Sequence, residues 1–159
     1  MFIALISSCE ETENVPVQGI KNAELLSFSD CKTGKSSLLI NSVSANQSCI
    51  EYFYSDSILT ITHINAGFNC CPGNISADFD FTGNSITITE FEATADCNCN
   101  CLYDIEMQIG NLQSGIYNVY LVEPYAIQTG TQIEFTINLN DSLAGSYCVQ
   151  RDFYPWGIY

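Results

Sequence analysis

The chain has 159 residues, which is enough for one domain with its own buried core. It carries 18 acidic side chains against four lysines and arginines, and the resulting net charge of −14 excludes binding to nucleic acid and electrostatic anchoring to anionic lipid. Charged residues make up 14% of the chain, below the roughly 25% typical of globular domains. The surface is therefore expected to be rich in uncharged polar side chains, as is typical of secreted β-proteins.

The N-terminal segment joins a short apolar run to a cysteine. Residues 1–6 are apolar, and Ile6-Ser7-Ser8-Cys9 is followed by the acidic run 10–13. This order resembles the lipobox of bacterial lipoproteins, whose cysteine is acylated, and the acidic run resembles the surface-export tag of Bacteroidota lipoproteins. No basic residue precedes Cys9, so either the true start lies upstream or residues 1–8 are a frayed apolar terminus. The segment is too short to span a bilayer.

These features divide the chain into three parts. Residues 1–8 are interpreted as the remnant of a signal peptide. Residues 9–19, which are acidic and polar and contain Pro16, are interpreted as a lipidated tether. Residues 20–159 are expected to form a single domain.

Alternation of apolar and polar side chains predicts strands through most of that domain, and helical periodicity is scarce. In chain order, strands are expected around residues 48–54, 57–66, 75–92, 97–109, 115–122, 133–139 and 145–152. Gly83-Asn84 interrupts the third of these segments, so that segment predicts a β-hairpin. About eight short strands separated by turn residues predict an all-β, antiparallel β-sandwich.

Eight cysteines remain once Cys9 is assigned to the lipid, and an even number in an exported domain is typical of a disulfide framework. Metal binding by Cys70-Cys71 and the run Cys97-x-Cys99-x-Cys101 is the rival interpretation. On a strand that run spreads its sulfurs over about 13 Å, which favours separate bridges over one tetrahedral ion, although a Cu(I) thiolate site stays open. The disulfide candidates are Cys31, Cys49, Cys70, Cys71, Cys97, Cys99, Cys101 and Cys148.

Two segments carry a resemblance to known proteins. Leu112-Gln113-Ser114-Gly115-Ile116-Tyr117-Asn118-Val119 resembles a strand of transthyretin-like and related Ig-like domains. Phe68-Asn69-Cys70-Cys71, followed by the cysteine run 97–101 and Leu102-Tyr103-Asp104-Ile105, is similar to uncharacterised cysteine-rich Bacteroidota outer-membrane lipoproteins. The resemblance implies an Ig-like or transthyretin-like sandwich stapled by disulfides, and it implies no activity.

Candidate catalytic groups are few. His63 is the only histidine, and its place inside a strand pattern favours a structural role over that of a base or ligand. Three carboxylate pairs could hold calcium or act as glycosidase acid and base: Asp78/Asp80, Glu90/Glu92 and Asp104/Glu106. We expect them instead to lie on the solvated polar faces of their strands.

The C-terminal segment 152–159 is rich in aromatic residues. Phe153, Tyr154 and Trp156 are candidates for the end of the core, for a surface that contacts a partner protein, or for a platform that binds a glycan, with packing favoured over glycan binding.

Together these features predict a lipid-anchored, surface-exposed binding or assembly module of the outer membrane that is not an enzyme and needs no cofactor or metal. Its expected partners are the membrane, through the lipid, and a protein of the outer membrane or a surface glycan. The alternatives are an accessory or structural subunit of an outer-membrane complex and a thiolate metal-handling protein.

Overall fold

The computed structural model describes residues 22–32 and 43–157, and Cys9 and the proposed tether lie outside these ranges. The described residues form nine strands and no helix. No helix long and apolar enough to cross a membrane is found among them. The strands are β1 (Asn22–Phe28), β2 (Gln47–Ser55), β3 (Ile58–Asn69), β4 (Ile75–Thr82), β5 (Ser85–Glu92), β6 (Asn100–Gly110), β7 (Ile116–Val122), β8 (Ile133–Asn138) and β9 (Ala144–Gln150).

The strands form two sheets that pack face to face as a sandwich. The first sheet has the order β1-β6-β3-β2-β9, and the second has the order β4-β5-β7-β8. All neighbouring strands are antiparallel except β5 and β7, which are parallel. The predicted all-β, disulfide-stapled sandwich is thus confirmed, including the hairpin that joins β4 to β5.

The core lies between the sheets and consists of the alternate, inward-facing side chains of each strand. Its centre is fully buried, because it lies beneath the interior strands of both sheets. The residues that are at most 1% exposed there include Leu59, Ile61, Ile86, Ile88, Ile105, Met107, Val119, Leu121 and Ile133.

A second apolar cluster lies at one end of the sandwich and is built around Trp156, which is 2% exposed. Its ring packs against Leu102 and Ala126. Gly67 permits this packing, because a β-carbon at that position would lie 2.7 Å from the Trp156 ring. The indole N–H donates to the backbone oxygen of Asn65, at 2.8 Å, so the buried ring has its polar atom satisfied.

The eight candidate cysteines form four disulfides: Cys31–Cys101, Cys49–Cys148, Cys70–Cys99 and Cys71–Cys97. Three of the four converge on residues 97–101. The expectation that Cys97, Cys99 and Cys101 all lie on the strand predicted over residues 97–109 is wrong. β6 begins at Asn100, so Cys97 and Cys99 lie in the preceding loop, where Cys99 is exposed, and only Cys101 is buried.

Candidate functional site

The only concentration of ionisable groups in the interior lies, within the described ranges, near the Trp156 end of the sandwich. His63 follows Leu59 and Ile61 on the inward face of β3, and Glu90 follows Ile86 and Ile88 on the inward face of β5. Glu123 directly follows β7, and Arg151 directly follows β9. Each of the four residues is at most 2% exposed. We call them the buried charge cluster.

His63 occupies the centre of the cluster. Its Nδ1 lies 2.8 Å from Glu90 Oε1, and its Nε2 lies 2.8 Å from the Oγ of the buried Ser48. The Nε2 atom also lies 3.5 Å from Glu123 Oε1. Because a carboxylate can only accept a hydrogen bond, Nδ1 carries a proton and donates it to Glu90.

Arg151 closes the cluster on the other side of Glu123. Its guanidinium donates to Glu123 Oε2 and to the backbone oxygen of Thr131, and it lies 4.7 Å from the centre of the Trp156 ring. Glu90 Oε2, Glu123 Oε1 and Arg151 Nε have no hydrogen-bond partner among the residues that the structure describes. The contact between Arg151 and Trp156 thus joins the buried charge cluster to the second apolar cluster at this end of the sandwich.

Burial and neighbouring charge act in opposite directions on two members of the cluster. Burial alone would lower the pKa of His63, but the charge of Glu90, its hydrogen bond and the charge of Glu123 outweigh it and raise the pKa above 6.5. Burial raises the pKa of Glu123, and the nearby His63 and Arg151 offset only part of that effect. With Arg151 charged, the cluster is neutral when it holds one further proton, on either His63 or Glu123.

The protonated cluster makes stability depend on pH, which gives a first prediction. His63 has a raised pKa in the folded protein, so its contribution is complete below 6.5 and is lost as the pH rises through the folded-state value. The free energy of unfolding should therefore fall above pH 6.5 by up to about 1.4 kcal/mol per pH unit for one retained proton. Urea denaturation at pH 6–9 measures this slope, and His63→Gln should flatten it. A free energy of unfolding that rises over this range would contradict the prediction.

Ser48, His63 and Glu90 have the hydrogen-bond order of a serine–histidine–acid triad. Their burial argues against that chemistry, since Ser48 and His63 are both 0% exposed and no substrate carbon can reach the serine oxygen. The arrangement satisfies buried polar groups, and its chemical capacity in this state is to hold a proton inside the core.

The aromatic residues of the C-terminal segment have separate roles. Trp156 is in the core, and the Phe153 ring packs edge-on against it with the ring centres 5.0 Å apart. Tyr154 is 42% exposed, and its hydroxyl donates to the backbone oxygen of Asn100 at 2.8 Å. Of the expected interface residues, Trp156 is therefore unavailable to a partner or glycan, and Tyr154 presents the one largely exposed ring.

A groove of about 560 Å³ lies on one side of the sandwich, between the edge strands β1 and β4. It is lined by residues 23–28 and 74–77. Glu24 is the one charged residue in this lining. A second groove of about 490 Å³ lies at the start of β1 and is also lined by Asp56, Ile58, Gln108, Gly110 and Asn111. These two grooves therefore both adjoin β1.

Most of the buried charge cluster was not predicted from the sequence. Glu90 was expected on a solvated face, and this is wrong because it shares the parity of Ile86 and Ile88. Glu123 continues the parity of Val119 and Leu121 in the same way, so the signal was present in the alternation. The prediction of a solvated face is correct for Asp78 and Asp80, which are exposed.

No three His, Cys, Asp or Glu side chains in the described part of the chain are grouped to hold a metal ion.

Comparison with known proteins identifies no relative. No protein-family model, no curated protein and no solved structure matches this chain.

Proposed function

We propose that this protein is a non-catalytic binding or assembly module held at the outer surface of the outer membrane by an acylated Cys9. The observation that best supports this proposal is that the buried charge cluster and Ser48 are inaccessible to solvent. The groups with the geometry for acid, base or nucleophilic chemistry are thus separated from solvent, while the open grooves lie along a strand edge. Such an arrangement suits recognition of another molecule.

The disulfides support the exported location. Four bridges in a domain of this size are typical of an oxidising compartment outside the cytoplasm. They also leave none of these eight cysteines as a thiolate, which argues against the metal-handling alternative. The alternative of a permanent subunit in an outer-membrane complex uses the same surfaces and differs only in the lifetime of the contact.

Native protein extracted from membranes provides the test. Its intact mass should show a diacylglycerol-modified Cys9 at the N-terminus, and cross-linking in intact cells should join the domain to a partner. A serine-reactive fluorophosphonate should leave Ser48 unlabelled. Stoichiometric labelling of Ser48 would contradict the non-catalytic assignment, and a native mass that includes residues 1–8 without lipid would contradict the anchor.

A further inference from the structure

The side of the sandwich between β1 and β4 is incompletely covered. Apart from Ile75, which is 2% exposed, the inward-facing residues of these two edge strands are only half-buried. The half-buried residues are Ala23, Leu25, Ala77, Phe79 and Phe81. On the opposite side, Phe135 of β8 and Tyr147 of β9 stack with ring centres 5.1 Å apart.

Both strands that border this side have a free edge within the described residues. β1 pairs only with β6, and β4 pairs only with β5. In an edge strand every second residue directs its backbone N–H and C=O away from its neighbour, which is a template for another strand. β1 is a poor template, because its register shifts between Leu25 and Ser27. β4 is a good one, because all eight of its residues pair with β5 in regular register.

The charges around the groove select a cationic occupant. Glu24 lies in the groove lining, and Asp78 and Asp80 lie on the outward face of β4 just beyond the lining residues 74–77. Within residues 22–32 and 43–157 the two cations are both already paired, Lys32 with Asp104 at 2.5 Å and Arg151 with Glu123. A second copy of this chain would bring another net charge of −14 to the same surface, which opposes self-association.

We propose that the groove binds an extended basic segment of a partner protein, which adds to β4 as a strand. Alternate side chains of the segment would then cover Ala77 and Phe79 on the inner side, and its lysines or arginines would face Asp78 and Asp80 on the outer side. This proposal deepens the proposed function by naming the surface and the chemistry of the partner.

Fluorescein-labelled decapeptides test the proposal with the full disulfide-bonded chain in 0.15 M salt, where charges beyond about 8 Å are screened. A peptide of alternating lysine and valine should bind saturably in the micromolar range, and hydrogen exchange should show new protection in residues 75–82. A peptide of alternating glutamate and valine should not bind. Asp78→Lys with Asp80→Lys should weaken binding at least about tenfold, because two attractive cross-strand pairs become repulsive.

Glu51→Lys with Glu134→Lys is the matched control, since it makes the same change in net charge at exposed positions away from the groove. It should alter the affinity by less than about threefold. Equal weakening by both variants, equal binding of both peptides, or no saturable binding would overturn the proposal. Two further results would overturn it. One is that β4 is already protected from hydrogen exchange in the free protein and loses this protection when residues 33–42 are deleted. The other is a dimer that buries β4. A native partner that cross-links to another face would overturn the assignment of the groove as the binding site, and it would leave the proposed function intact.

Discussion

Arg151→Met is expected to lower the free energy of unfolding by about 3–5 kcal/mol. The substitution keeps much of the aliphatic volume but removes the guanidinium that contacts Glu123 and the backbone of Thr131. Glu123 is 1% exposed and would retain only His63, 3.5 Å away, as a cationic neighbour. Removing one partner of a buried ion pair is costly because the other charge stays desolvated. Urea denaturation at pH 6 measures the effect.

Two control variants make this prediction specific. Lys32→Met breaks a half-exposed ion pair with Asp104 and should cost no more than about 1 kcal/mol. The double variant Arg151→Met/Glu123→Leu should recover much of the loss, because an apolar pair removes both desolvated charges and leaves His63 paired with Glu90. A single variant as stable as the unsubstituted protein, or a double variant less stable than Arg151→Met, would show that the ion pair does not govern stability at this site.

Removal of the Cys49–Cys148 bridge is expected to have an effect of similar size. The bridge joins directly paired residues of β2 and the edge strand β9, and its cysteines are 99 residues apart in sequence. Loss of a crosslink that closes a loop of this length costs about 4.7 kcal/mol in the chain-entropy description. The variant Cys49→Ala/Cys148→Ala should lose about that much free energy of unfolding in urea.

The Cys71–Cys97 bridge, with a separation of 26 residues, provides the comparison. Its loss should cost less by more than about 1 kcal/mol, since the entropy of loop closure grows with the logarithm of loop length and the adjacent Cys70–Cys99 bridge already closes nearly the same loop. The reverse order of stability would indicate that strain or local packing, and not loop closure, dominates the contribution of these bridges.

Period-2 alternation was sufficient to predict most strands, since β3 to β5, β7 and β8 alternate between more and less buried positions along much of their length. β1 was not predicted as a separate strand, because the register shift after Leu25 breaks its alternation and leaves Leu26 and Phe28 exposed. The disulfide partners could not be read from the sequence, since pairing depends on which loops meet in space.

The candidate sites were harder to predict than the fold for a physical reason. The sequence does not record whether a carboxylate is buried or exposed. Glu90 is distinguished from Asp78 only because it alternates in phase with the apolar residues of its strand. That parity marks a residue as inward-facing but cannot say that His63, Glu123 and Arg151, on three other segments, will meet it. The groove is invisible to alternation altogether, because it arises from which strands become edges.

The position of the Cys31–Cys101 bridge determines how the domain responds to mechanical load. A pull on the N-terminal side of the chain first reaches β1, which is held to the sheet only by its ladder with β6. If β1 peels away, the force meets the covalent bond at Cys31 after the release of residues 22–30, about 30 Å of extended chain. The load then passes through Cys101 directly into β6, next to the centre of its sheet. Extension under tension from that side is thus limited to one strand, and the remainder of the sandwich is pulled as a crosslinked body.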